Sequence, residues 1–150
     1  MPKIGTLADL IQDIWDYCVH VSKIFPEDTD ETVTITAGGT NNTFGDWAEL
    51  ADNNSVTLSS KFTAKSGYIV SILLEEADTK DVRYLLEIAY CATKTVVARS
   101  RFMKVNTKLN VSHQMRIRSL KIPKGEIVYY RLKCETASAT AEIQVRYYIP

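Results

Sequence analysis

The sequence predicts an all-β fold: an eight- to nine-stranded antiparallel sandwich or jelly roll, led by an N-terminal α-helix. Three observations carry that prediction. From Thr32 onward, apolar residues recur at every second position, the period of a half-buried strand. Turn-forming clusters rich in Gly, Asn, Pro and Ser break the alternation at short intervals, and no helical pattern lies between them. Only residues 7–25 follow a helical period.

The helix comes first. Thr6-Leu7-Ala8-Asp9 has the chemistry of a helix start: the Thr6 hydroxyl can accept from an orphan N–H, and Asp9 and Asp13 suit the positive end of the dipole. Leu7, Ile11, Ile14, Cys18, Val21 and Phe25 then alternate four and three apart, the a/d heptad spacing of a coiled coil or short helical bundle. Leu10, Trp15 and Val19 widen the stripe, and Pro26 ends the helix. About five helical turns are too few to persist alone in water, so the stripe needs a cover. One reading lays it on the β domain of the same chain. The other has it self-associate or dock on a partner, through Leu7, Ile11, Ile14, Trp15, Cys18, Val21 and Phe25. The expected organisation is a helix over 1–26, an acidic linker Glu27-Asp28-Thr29-Asp30-Glu31, and a β domain over 32–150.

The strands follow in order. Val33 and Ile35 alternate with threonines, and Ala37 to Thr43 reads as a loop. Phe44 to Leu50 and Val56 to Phe62 are expected as short strands around an Asp52-Asn53-Asn54 turn. Tyr68 to Glu75 is nearly continuously apolar, as in a central strand. Tyr84 to Cys91 sets Tyr84, Leu86, Ile88 and Tyr90 on one face, and Thr95 to Val105 is β-branched and arginine-rich. Met115 and Ile117 share a phase that Leu120 and Ile122 do not, which predicts a bend near Ser119. Pro123-Lys124-Gly125 makes a turn. The last hairpin pairs Val128, Tyr130, Leu132 and Cys134 with Ala141, Ile143, Val145 and Tyr147 across a small-residue turn at 136–139.

Charge is balanced overall but not along the chain. Residues 1–87 carry 15 acidic and 6 basic side chains, and residues 88–150 carry 3 and 12, so the halves stand at −9 and +9. The basic residues are spread over several strands rather than gathered in a run beside exposed aromatics. The asymmetry therefore points to halves that meet, within one subunit or between subunits, and not to nucleic acid. The longest apolar run, Tyr68 to Leu74, is far below the roughly 20 residues that span a bilayer, so no membrane association is expected. Cys18, Cys91 and Cys134 form no CxxC pair and sit in apolar patterns, which predicts buried reduced thiols.

Catalytic constellations are absent from the sequence. His20 and His113 lack partners at metal-ligand spacing. Gly38-Gly39 lacks the lysine and helix of a phosphate loop. Glu75, Glu76 and Asp78 enter a turn with Lys80 and Asp81 and read as a solvated turn rather than a calcium loop. Asn41-Asn42-Thr43, Asn53-Asn54-Ser55 and Asn110-Val111-Ser112 read as Asn-rich turns. No enzyme, metal or cofactor is expected. Arg99, Arg101, Arg116, Arg118, Arg131 and Arg146 lie at alternate strand positions, and cross-strand neighbours could gather them into a partner interface. Phe44, Trp47, Tyr129 and Tyr148 are expected in packing, with a sugar-binding patch as the alternative.

Ile122-Pro123-Lys124-Gly125-Glu126, then Leu132-Lys133-Cys134-Glu135, then Thr136-Ala137-Ser138-Ala139-Thr140-Ala141 form a succession of parts. They resemble the "IPAG…ARCQ-S-ASAT" ending of small structural proteins of tailed bacteriophages, with Lys133 where that pattern has arginine. Phe44-Gly45-Asp46-Trp47 is similar to their "WG-W" opening. The resemblance covers about half of residues 44–150 and leaves the helical segment unmatched. It implies a virion component made in the host cytoplasm: a capsid decoration or cement protein, a head fibre or a tail-associated protein. Such a protein would form a homo-oligomer, such as a trimer, and bind a major capsid or other virion protein. The alternative is a carbohydrate- or receptor-binding β module of a fibre or tail. The resemblance implies no catalytic residue.

Overall fold

The computed structural model describes residues 6–11, 14, 22–105 and 113–150. Among them, nine strands form two antiparallel sheets. The first sheet holds β1 (Lys23–Phe25), β2 (Val33–Thr36), β4 (Tyr68–Ala77), β7 (His113–Arg116) and β9 (Thr140–Tyr148). The second holds β3 (Ala48–Glu49), β5 (Arg83–Tyr90), β6 (Thr95–Met103) and β8 (Val128–Cys134). The orders are β1-β9-β4-β7, with β2 also on β9, and β3-β8-β5-β6. After β2, every connection except the β5–β6 hairpin crosses from one sheet to the other. That is the double-Greek-key order of a jelly roll.

The alternation read from the sequence is the reason these segments are strands. On β8, Val128, Tyr130, Leu132 and Cys134 are buried while the residues between them reach solvent. On β9, Ala141, Ile143, Val145 and Tyr147 do the same. Their partners obey the same phase: Ile72 faces Val145, Leu74 faces Ile143, and Leu86 faces Leu132. Aromatic pairs close the core, with Tyr84 stacked on Phe102 at 5.1 Å and Phe62 edge-on to Tyr147 at 5.7 Å. The Tyr84 hydroxyl reaches out of the core to donate to the Thr79 carbonyl at 2.8 Å. A bend does follow β7. Ser119 Oγ accepts from the Ile69 N–H at 2.8 Å, and the next residue, Leu120, donates to the Val97 carbonyl of the opposite sheet at 3.1 Å.

Five expectations are corrected. The last two strands do not pair as a hairpin: β8 pairs with β3 and β5 and β9 with β1, β2 and β4, so the small-residue turn at 136–139 carries the chain from one sheet to the other. Phe25 is not the last residue of a helix. It lies in β1, opposite Val145, and is buried in the sandwich core. The heptad count reached it because a residue four beyond Val21 fits a helix and a strand entering a core equally well. The sandwich therefore begins at Lys23, and the acidic stretch at 27–31 connects two strands of one sheet. Val56 to Phe62 is not a strand: Leu58–Phe62 is a 3-10 helix that buries Leu58 and Phe62. Its hydroxyls compete for the backbone, Ser60 Oγ donating to the Thr57 carbonyl at 2.6 Å and Thr63 Oγ1 to the Ser60 carbonyl at 3.3 Å. Between Phe44 and Leu50 only Ala48–Glu49 pairs as a strand, with Phe44 forming a lone bridge to Lys133.

At the N-terminus, residues 7–11 and 14 are helical, and the Thr6 cap forms as expected. The Asp9 N–H donates to Thr6 Oγ1 at 3.3 Å, and the Thr6 N–H and hydroxyl both donate to the Asp9 carboxylate at 2.8 Å. Those bonds hold the Asp9 carboxyl below its ordinary range. Leu7, Leu10, Ile11 and Ile14 are 50–74% exposed, so the described part of the stripe is not covered by the chain's own sandwich. Trp15, Cys18, Val21 and His20 lie outside the described residues.

Candidate interface on the second sheet

The outer face of the second sheet is built by strand register. Glu87 of β5 stands directly opposite Arg99 on β6 and Arg131 on β8. Because side chains at paired positions share a face, both guanidiniums converge on one carboxylate. Arg99 Nε donates to Glu87 at 2.6 Å, and Arg131 Nε and Nη2 approach it at 2.7 and 2.6 Å. Glu87 is 3% exposed, buried largely by its own partners. Two residues along, Leu85 is flanked by Arg101 and Lys133. Next to these, Arg83 Nη1 pairs with Glu135 at 3.0 Å, and the Arg83 N–H also donates to that carboxylate at 2.9 Å. These two bonds hold the Glu135 carboxyl below its ordinary range.

Aromatic rings wall one side of this face. The Arg131 guanidinium lies 4.2 Å from the centre of the Phe44 ring and 4.5 Å from that of Trp47. Lys133 stands 5.1 Å from Phe44, and Lys94 lies 3.1 Å over Tyr129. Gly38 lets the loop carrying Phe44 fold this closely: a Cβ there would sit 2.5 Å from the Thr43 carbonyl oxygen and 2.8 Å from the Phe44 backbone. At the far end of the face, Arg83, Leu85, Arg101, Lys133, Glu135 and Asn42 line a groove of about 360 Å³. Among the described residues, Arg101 and Lys133 have no salt bridge, so the groove is a net cationic site with an apolar floor.

The six expected interface arginines are thus not one group. Arg99, Arg101 and Arg131 share the outer face of the second sheet. Arg116 and Arg146 lie on the first sheet, each opposite Ser71, and Arg118 follows β7. The jelly-roll order sends β7 and β9 to the other sheet, which alternation along each strand cannot reveal. Of the four aromatics, Phe44, Trp47 and Tyr129 join the cationic face, whereas Tyr148 stacks on Tyr68 at 5.0 Å on the first sheet. Sequence reading missed Glu87, Leu85, Lys133, Lys94 and Arg83. Glu87 did carry a signal, being the one acid in the middle of an apolar strand pattern.

Elsewhere, Asn41 and Asn53 sit in turns as expected, Asn41 Oδ1 accepting from the Ala137 N–H at 2.8 Å, while Asn110 lies outside the described residues. Among the described residues, no group of three or more His, Cys, Asp or Glu side chains is placed to hold a metal ion. No helix among them is long and apolar enough to cross a membrane. Burial, together with the neighbouring Glu142, raises the Glu75 carboxyl, and the Glu76 carboxyl is lowered by the Ala77 N–H.

Cys134 is buried as expected, but Cys91 is not: it opens the β5–β6 turn, half-exposed, with a positive φ of 59°. Hydrogen bonds from Thr93, and then from Thr95, bring its thiol down to about 7. Its alkylation by iodoacetamide should therefore rise with pH through a midpoint near that value, since only the thiolate attacks. Labelling that is absent in Cys91→Ser isolates this site. A midpoint in the ordinary thiol range would show that the threonine contacts do not form in solution.

No protein-family model matches the chain, and no curated protein matches it. Function is therefore read from the residues and their geometry.

Proposed function

We propose that this chain is a non-enzymatic structural protein of a virion. It self-associates through its N-terminal helix and makes a second protein contact through the cationic, aromatic-walled outer face of its second sheet. The observation that carries the reading is the exposure of Leu7, Leu10, Ile11 and Ile14, which stand at 3–4 spacing among the described helical residues. Apolar side chains in that pattern need a cover, and for these four described residues the sandwich does not provide one. The jelly-roll topology and the phage-like turn and strand sequence from Ile122 to Ala141 supply the virion part of the reading. A capsid decoration or cement role follows from the combination, because repeated copies let weak contacts add up to stable occupancy. A sugar platform is less well supported, because Arg131 lies over Phe44 and Trp47, and Lys94 over Tyr129, which occupies those rings.

Two measurements test this. Sedimentation of the full chain should show an oligomer that persists at high salt, and the triple variant Leu7→Gln, Ile11→Gln, Ile14→Gln should be reduced by at least one association step. A wild-type monomer at high concentration would overturn helix-driven assembly. The genes flanking the coding sequence should encode capsid and portal proteins, and particles purified from that virus should contain the chain at a fixed copy number. Its absence from purified particles would overturn the virion assignment.

A further inference from the structure

We infer that the groove over Leu85 binds the acidic stretch Glu27-Asp28-Thr29-Asp30-Glu31 of a second copy of this chain, making a head-to-tail contact between subunits. This rests on the reading of the protein as a self-assembling one, and names the occupant of its cationic face.

Three features lead to this pairing. The first is the groove's charge. Arg101 and Lys133 flank Leu85 without a salt bridge of their own among the described residues, Arg101 acting on Glu135 only through space, while the nearby Arg83 and Arg131 are already engaged by Glu135 and Glu87. A ligand for it carries at least two carboxylates. Glu87 and Glu135 at the same face disfavour a polyanion with uniformly dense charge, such as nucleic acid, and leave room for a short acidic peptide.

The second feature is the stretch itself. Residues 27–30 are exposed. Glu27 is held by Lys61 at 3.0 Å, and Glu31 accepts from Asn54 at 2.6 Å, so the loop is fastened at both ends. Between those ties, no side chain among the described residues pairs with Asp28 or Asp30. Two carboxylates, two residues apart on a preformed loop, face two cations that flank one strand position. Fastening lowers the ordering cost of binding.

The third feature is placement. The groove is built at the end of β8, by Lys133, Cys134 and Glu135. The acidic stretch lies at its beginning: Leu50 donates to the Val128 carbonyl, and Asn53 beside it donates to the Thr32 carbonyl. A strand of seven residues spans roughly 20 Å. One chain cannot fold its own stretch into its own groove, so this contact is made between copies, beside the Glu87–Arg99 and Glu87–Arg131 pairs that already join the acidic and basic halves within one chain. The two surfaces differ, so the contact is heterologous and builds a ring or a chain rather than a two-fold dimer.

The test separates this contact from helix-driven assembly by its salt dependence. Charge attraction across such a surface is screened when the Debye length falls from about 10 Å near 0.1 M salt to about 3 Å at 1 M, whereas apolar helix packing is not. Full-length chain should show a species at low salt, beyond the salt-resistant oligomer, that disappears at 1 M sodium chloride. The groove variant Arg101→Glu, Lys133→Glu and the stretch variant Asp28→Lys, Asp30→Lys should each weaken it more than about tenfold. An equimolar mixture of the two variants should restore it, because the reversed groove of one accepts the reversed stretch of the other. Zero-length carbodiimide coupling should link Lys133 to Asp28 or Asp30, in peptides of mixed isotope when labelled and unlabelled chains are combined. Failure of the mixture to associate, or mixed-isotope links only elsewhere, would overturn the inference. So would a low-salt species unaffected by either variant. If the chain shows no salt-sensitive species, yet the groove binds an added acidic peptide of unrelated sequence, the occupant is another protein and the second copy is ruled out. The helix variant Leu7→Gln, Ile11→Gln, Ile14→Gln removes the salt-resistant species and leaves the salt-sensitive one, so the two contacts fail independently.

Discussion

Leu132→Ala should lower stability by about 3–5 kcal/mol, read by urea or thermal unfolding. Leu132 is completely buried on β8, facing Leu86 across the strand pair. Its backbone is pinned on both sides: β5 pairs with it along one edge, and along the other the Gly45 N–H donates to the Leu132 carbonyl at 3.0 Å and Ala37 forms a bridge to it. Truncating the side chain leaves those bonds in place, so the measurement isolates packing. The same pins stop β8 from collapsing into the space, which places the cost at the upper end of the leucine-to-alanine range. For a domain of this size, each kcal/mol moves the midpoint by about 2–4 °C, so a fall near 10 °C is expected. Leu120→Ala, exposed beyond the bend after β7, is the control and should change stability by less than about 0.5 kcal/mol. A loss below about 1 kcal/mol for Leu132→Ala would mean that the second sheet does not close over the first.

The parts of this fold that were legible in the sequence are those where one local rule dominates. On β8 alternation is unbroken for all seven residues and on β9 it runs from Thr140 to Tyr147, the turn between them carries small residues, and every inward side chain is apolar. The bend near Ser119 was legible as a phase shift between Met115 and Ile122, which are both buried on opposite parities, whereas Leu120, which shares the parity of Ile122, is exposed. Phe25 and the 56–62 segment were misread for a shared reason. Apolar residues two or four apart satisfy a strand and a helical turn alike, and the decision passes to tertiary contacts. Phe25 is settled by pairing with β9, and Leu58–Phe62 by hydroxyls that bond the local backbone.

The candidate interface was legible only in composition. Alternation places Arg99, Arg101 and Arg131 on the outward face of their strands, but nothing along the chain says that β6 and β8 flank β5. That adjacency comes from the crossover order, in which sequence neighbours separate and residues 44 positions apart, such as Glu87 and Arg131, become cross-strand partners. The same order sends Arg116 and Arg146 to the opposite sheet. The aromatic wall was hidden more deeply, since Phe44 and Trp47 meet Arg131 only because Gly38 allows the loop to turn back on itself.

Glu87→Gln is the substitution on which stability and assembly should move in opposite directions. Its carboxylate is buried, but its partners are not equally so: the Arg131 side chain is 31% exposed and that of Arg99 61%. Replacing the acid by the amide keeps the shape and removes two charge-assisted bonds. It also turns an amide N–H₂ toward a guanidinium that has only donors to offer. The expected cost is about 1–3 kcal/mol. It falls short of the larger loss seen when a fully buried pair is broken, because both arginines can turn toward water. The same substitution removes one negative charge from the cationic face. If that face receives the acidic stretch of a neighbouring subunit, the low-salt association should tighten in Glu87→Gln even as the unfolding midpoint drops, with association measured at temperatures well below that midpoint. Opposite signs on the two readouts would separate an electrostatic interface from a structural ion triplet. A parallel fall in both would assign Glu87, Arg99 and Arg131 to holding the sheet together and leave Arg101 and Lys133 as the whole of the cationic site.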